Sequence, residues 1–142
     1  MDSAPTGRLQ TTAPTALLVE DESHVRTYIS TLLRHGGFEV VEAADAADAL
    51  SRIRELRGDV DVLVTDVKMP GMTGIELVDL IMADFSGIPV VYISGEPLAM
   101  ELHAPQRRRV FLQKPFLAQA ILEAVRGVIA QPVSADGPAA SR

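Results

Sequence analysis

Five short apolar runs, set apart by helical patterns, govern what this chain can fold into. They are Ala16 to Val19, Phe38 to Glu42, Val62 to Thr65, Pro89 to Ile93 and Val110 to Gln113. Between the first two, Ser23 reads as a helix N-cap, and Val25, Ile29, Leu32 and Leu33 recur at helical spacing up to the stop Gly36-Gly37. Asp45 caps a second helix with Ala46, Ala49, Leu50 and Ile53 inward, ended by Gly58-Asp59. Gly71 to Thr73 turns into a third, carrying Ile75, Val78, Leu80 and Ile81. Pro97 to His103 reads as a short fourth helix broken before Pro105. Leu117, Ile121, Leu122, Val125 and Ile129 mark the last. Strands that alternate with helices form a parallel sheet covered on both faces. Right-handed crossovers then favour an α/β fold with a five-stranded, doubly wound, flavodoxin-like sheet of order 2-1-3-4-5.

Three of the five runs end in charged groups. Leu17-Leu18-Val19 leads into Glu20-Asp21-Glu22. Val62-Leu63-Val64-Thr65 leads into Asp66, then the turn Val67-Lys68-Met69-Pro70-Gly71. Val110-Phe111-Leu112-Gln113 leads into Lys114-Pro115. Open parallel sheets bind ligands outside the carboxyl ends of their strands, where the strand order reverses, here beside strands 1 and 3. The predicted edge therefore gathers carboxylates and one lysine, the chemistry for a divalent metal and a phosphoryl group. A carboxylate can attack phosphorus and form an aspartyl phosphate. Glu20, Asp21 and Asp66 repel one another when ionised, so the cluster calls for a metal or a cationic partner. Magnesium takes one or two carboxylates with phosphate oxygens and waters. Lys114 offers a fixed positive charge to a phosphoryl oxygen, and Ser94 a hydroxyl donor. Phosphoryl transfer asks for little beyond such positioning and charge stabilisation.

Composition narrows the alternatives. The 142 residues suffice for one domain with a core. The net charge of −6 argues against a nonspecific nucleic-acid footprint. With no cysteine, disulfides, zinc-thiolate sites and thiol catalysis are excluded. No apolar stretch reaches membrane-spanning length, and Met1 to Pro14 has no apolar core of a secretory signal, so a cytoplasmic location is expected. Residues 1–15 and 131–142 are rich in small residues and proline and read as disordered tails around a domain at 16–130.

Four segments carry a family resemblance: Leu17-Leu18-Val19-Glu20-Asp21-Glu22, Thr65-Asp66-Val67-Lys68-Met69-Pro70-Gly71-Met72-Thr73-Gly74, Tyr92-Ile93-Ser94-Gly95 and Gln113-Lys114-Pro115-Phe116. In this order, each at the end of an expected strand, they resemble the signatures of bacterial two-component response-regulator receiver domains. The resemblance implies that Asp66 is the phosphoacceptor, taking its group from a histidine kinase or phosphotransfer protein. It implies a Mg2+ ion, with Mn2+ as a substitute, bound by Asp21, Glu20, Asp66 and the backbone carbonyl of Lys68. The family usually has two aspartates where this chain has Glu20-Asp21. Ser94 matches the switch Ser/Thr, Lys114 the family lysine and Phe111 a switching aromatic that is often tyrosine. An enzyme in the ordinary sense is not expected, only self-catalysed transfer to Asp66 and slow autodephosphorylation.

Taken singly, each feature has a plainer reading. An acidic triplet is commonly a solvated loop, Asp66 a cap, Ser94-Gly95 a turn, and Lys114 or Arg107-Arg108-Arg109 surface charge. Phe111, as an aromatic on a strand, is more often core than switch. Joint placement at strand ends favours the functional reading. The rivals fare worse. A flavodoxin-like cofactor module needs a Gly/Ser/Thr-rich phosphate loop after strand 1, where Glu20-Asp21-Glu22 would repel phosphate. A haloacid-dehalogenase-type hydrolase would place an acid where Lys68 stands. A phosphorylation-independent docking module remains the alternative, against which the retained Asp21, Asp66, Ser94 and Lys114 speak. The chain is expected to be a stand-alone receiver or a relay intermediate, similar to receivers of hybrid histidine kinases. It would signal to a protein partner through the fourth helix, fifth strand and last helix. Lys68 and Glu96 are expected to meet over the site and limit the approach of water.

Overall fold

A computed structural model describes residues 13–96 and 108–131. Five parallel strands, β1 (Thr15–Val19), β2 (Glu39–Ala43), β3 (Val62–Asp66), β4 (Val90–Ser94) and β5 (Arg109–Gln113), lie in the order β2-β1-β3-β4-β5. The described helices are α1 (Ser23–His35), α2 (Ala46–Glu55), α3 (Gly74–Asp84) and α4 (Ala118–Ala130). The helix expected at Pro97 to His103 lies outside the described residues, as do Arg107 and most of both tails. The strand order is the expected one.

Side chains of successive strand residues point to opposite faces. Ala16 and Leu18, Val62 and Val64, and Val91 and Ile93 therefore pack with Ile29 and Leu33 of α1 and Ile121, Val125 and Val128 of α4. Leu17 and Val19, Leu63, and Val90 and Tyr92 pack on the other face with Ala49 and Ile53 of α2 and Leu77, Val78 and Ile81 of α3. All five residues of β3 and of β4 are buried. These central strands cannot slip by one residue without exposing a whole apolar row.

Local details differ from expectation where side chains compete for the backbone. The cap of α1 is Glu22, whose carboxylate accepts from Val25 N–H at 2.8 Å, and Ser23 is already helical. β1 starts at Thr15, inside the expected tail, because Asp61 holds it from both sides: Thr15 N–H donates to Asp61 Oδ2 at 2.7 Å and Asp61 N–H to Thr15 C=O at 2.8 Å. Leu80 is 46% exposed, on the outer side of α3.

The turn from β3 into α3 positions the site. Thr73 and Glu76 form a capping box, Thr73 Oγ1 accepting from Glu76 N–H and Glu76 Oε1 from Thr73 N–H. Gly74 N–H donates to Val67 C=O at 2.8 Å, which brings α3 hard against the strand end. A Cβ on Gly74 would overlap the Asp66 carbonyl oxygen, so only glycine permits this approach. Gly74→Ala is expected to destabilise the fold by about 1–3 kcal/mol through overpacking. It should also displace Asp66. Chemical denaturation, with the NMR shift of the Asp66 amide, checks both effects.

Candidate functional site

β1 and β3 are neighbours, with Val19 opposite Thr65, so the next residues, Glu20 and Asp66, emerge side by side. Glu20, Asp66 and Lys114 each follow by two positions a residue that faces α1 and α4: Leu18, Val64 and Leu112. They continue that row at the carboxyl edge of the sheet. Lys114 Nζ lies 3.2 Å from Asp66 Oδ2 and 3.5 Å from Glu20 Oε1. Asp66 and Glu20 are both buried, whereas Asp21 is exposed. Carboxylate oxygens of Glu20, Asp21 and Asp66 all lie within 4.8 Å of one another. The structure thus brings together the expected acidic cluster and its lysine. A hard, oxygen-seeking cation fits this donor set.

The electrostatics follow from burial. Glu20 is pushed up to about 7, chiefly by desolvation. Its bond from Glu22 N–H, at 3.1 Å, opposes this, Asp66 adds to it, and Lys114 opposes it again. Burial pulls the Lys114 ammonium down, but Asp66 and Glu20 together outweigh that and hold it above its usual value. Lys114 is therefore a dependable cation at neutral pH.

Ser94 is buried, but its hydroxyl does not point at Asp66. It donates to Glu96 C=O at 3.1 Å and accepts from Glu96 N–H at 3.0 Å, closing a local turn. Lys68 N–H faces Asp66 Oδ1 at 3.4 Å, and Lys68 Nζ pairs with Glu96 Oε2 at 2.8 Å, as expected for these two side chains. Phe111, half-buried, stacks on Tyr92 with centroids 4.7 Å apart and planes at 20°. The two are direct partners in the β4–β5 register. Lys114 N–H donates to Ser94 C=O at 2.8 Å, which ties the tips of β4 and β5. The Tyr92 phenol is raised by burial, an effect opposed by Arg109. Gly74 and Tyr92 stand at the ends of two of the sequence motifs without a role of their own: the close approach at the Asp66 carbonyl gives Gly74 its role, and the register that pairs Tyr92 with Phe111 gives Tyr92 its own.

Residues 16–126 match the response regulator receiver domain family. The chemotaxis protein CheY of Pseudomonas aeruginosa is 36% identical over 117 residues, which cover 79% of this chain and 93% of that protein. The sensor kinase CckA of Brucella abortus is 36% identical over 118 residues, 81% of this chain but 12% of the kinase. Among solved structures, the receiver domain of hybrid histidine kinase CckA is 36% identical, with a TM-score of 0.70, over 81% of this chain and 98% of that one. The response regulator CheY4 of Vibrio cholerae is 30% identical, with a TM-score of 0.71, over 82% and 99%. The chain belongs to the response regulator receiver domain family. It is a phosphoacceptor signalling domain of a two-component system, a switch whose family works with histidine kinases and downstream effectors. Among the described residues, no helix is long and apolar enough to cross a membrane.

A raised carboxyl pKa has a defined stability signature. Between 4.5 and about 7 the folded protein holds a proton on Glu20 that the unfolded chain has lost. Stability from this group is complete below 4.5 and falls as pH rises through about 7. In chelator-treated protein the unfolding midpoint should drop between pH 5 and 8, by on the order of 5 °C. Glu20→Gln should flatten that segment, and Mg2+ should reduce the drop. Calorimetry across pH is the check, and an unchanged slope in Glu20→Gln would assign it to other groups.

Proposed function

We propose that Asp66 is the phosphoacceptor and that the unit at 16–130 works in the cytoplasm as the receiving end of a histidine-to-aspartate transfer. The observation that carries this is the buried Asp66 carboxylate at the tip of β3, 3.2 Å from Lys114 Nζ and within the cluster with Glu20 and Asp21. An oxygen of Asp66 attacks phosphorus, and the donor's bond to phosphorus breaks, its electron pair leaving with the donor. Lys114 neutralises charge on the arriving phosphoryl oxygens. Glu20, Asp21, Asp66 and the Lys68 carbonyl would hold Mg2+, or Mn2+ in its place. When bound, that ion offsets the negative charge of the cluster and the phosphoryl group.

Ser94 is proposed to release its turn with Glu96 and bond a phosphoryl oxygen. Phosphorylation would then bias two arrangements of the β4 and β5 tips, with Phe111 and Tyr92 repacking together. The output face is proposed to include β5 and α4. For the donor protein we propose the apolar groove of Val25, Tyr28, Ile29, Pro115 and Phe116, which adjoins Lys114 and leaves Tyr28 half exposed. The Lys68–Glu96 pair bridges the loops after β3 and β4 and restricts water at the phosphoryl group.

Intact mass after incubation with acetyl phosphate tests the acceptor. One phosphoryl group should be gained with Mg2+, and none without it or in Asp66→Asn. A gain that persists in Asp66→Asn would identify another acceptor, and no gain from any donor would favour a docking module that ignores phosphorylation. In a second experiment, Lys68→Ala with Glu96→Ala should shorten the phosphoryl lifetime severalfold, measured as loss of the added mass with time. An unchanged lifetime would remove the pair from the account.

A further inference from the structure

The loop that carries Glu20 and Asp21 needs an anchor of its own, because its carboxylates repel one another and only Glu20 touches Lys114. On one side it has one: Glu20 N–H donates to Ala43 C=O at 3.1 Å, extending the β1–β2 ladder. On the other side the partner comes from α1. Arg26 Nη1 donates to the Glu20 carbonyl oxygen at 2.7 Å. The same guanidinium meets Glu42 on β2, with Nε 3.5 Å from Oε1. Glu42 is held in turn by Ser30, whose buried hydroxyl donates to Oε2 at 3.0 Å, and by Arg34 at 3.4 Å.

We propose that Arg26, clamped by Glu42, is a positioning residue of the acidic site: it fixes the Glu20–Asp21 peptide so that both carboxylates converge on one cation. The inference rests on the reading of Glu20, Asp21 and Asp66 as the cation site. The chemistry suits the task. A guanidinium is planar, permanently charged and able to serve two acceptors in fixed directions. Its side chain is largely shielded, with 20% exposed. It adds positive charge beside three consecutive acids through a backbone carbonyl, not through their carboxylate oxygens. Outer partners that orient ligands commonly matter about 10–100-fold for metal affinity. Arg34 provides the internal control. It pairs with the same Glu42, but its guanidinium donates to Val40 C=O on β2 instead of to the Glu20 loop.

The experiment titrates Mn2+ into the full chain and reads the free ion by electron paramagnetic resonance, beside thermal unfolding without metal. Arg26→Met should weaken Mn2+ binding about tenfold. Arg34→Met should keep wild-type affinity. Arg26→Lys, which retains a donor but loses the fork, should fall between wild type and Arg26→Met. Phosphoryl uptake from acetyl phosphate in Arg26→Met should be slowed more at low metal than at saturating metal. Wild-type affinity in Arg26→Met, with midpoints lowered alike in both methionine variants, would reduce Arg26 to a helix anchor and overturn the proposal. If Arg26→Met fails to fold, Arg26→Lys decides: a severalfold loss supports positioning, and wild-type affinity overturns it. Wild-type protein that binds no Mn2+ would overturn the cation-site reading itself, a failure distinct from one confined to the Arg26 variants.

Discussion

The contact of Lys114 with Glu20 and Asp66 is the interaction on which the rest of the site depends. Two carboxylates emerge from adjacent buried strands because the β1–β3 register leaves no alternative. Repulsion in a partly desolvated site is strong, and without a cation it would be relieved by protonation or by parting the strand tips. Lys114 arrives from β5, two strands away from β3, at 3.2 and 3.5 Å. Burial, more than the neighbouring charges, pushes the Glu20 carboxyl up to about 7, and Lys114 only partly opposes that. One lysine shared by two buried acids, with Asp21 close by, makes an oxygen-rich donor set that a hard divalent cation fits.

The same geometry links the site to its surroundings. Lys114 bonds carboxylates through its side chain and Ser94 through its backbone. Ser94 in turn holds Glu96, and Glu96 holds Lys68. A change in charge at Asp66 therefore meets a chain of contacts running through the tips of β3, β4 and β5. Tyr92 and Phe111 lie one step further from the edge, stacked in register. Tight packing makes such pairs settle into discrete arrangements, which suits a switch better than graded motion would.

Much of this was legible in the sequence, for identifiable reasons. Fully apolar runs such as Leu17 to Val19 and Val62 to Val64 belong to strands buried on both faces, so the parallel sheet and its order followed. The charged residue ending each run then fell at the binding edge, and Glu20, Asp66 and Lys114 came together as expected. What escaped depends on which of several competing partners a side chain takes, near or far along the chain. The sequence does not show that the Ser94 hydroxyl, without a phosphoryl group to bond, closes a turn with Glu96 two residues away. Ser23 was read as a cap, but Glu22 reaches the Val25 amide first. Arg26 carries no local signal, since its partners are a carbonyl six residues back and a carboxylate on another strand.

Glu20 in place of the usual aspartate has a structural logic. The extra methylene lets the carboxylate do two things. Oε2 folds back to accept from Glu22 N–H at 3.1 Å, and Oε1 reaches toward Lys114 at 3.5 Å. The side chain therefore stiffens its own loop while remaining within 4.8 Å of the oxygens of Asp21 and Asp66. A longer side chain loses more rotamer entropy when fixed, and here the loop amide, Lys114 and burial fix it before any ligand arrives. Substitution at this position changes how the loop is held as well as the set of oxygens the acidic cluster presents. The backbone beneath it is secured at its N–H by the Ala43 carbonyl and at its carbonyl by Arg26, so the longer side chain departs from a fixed base.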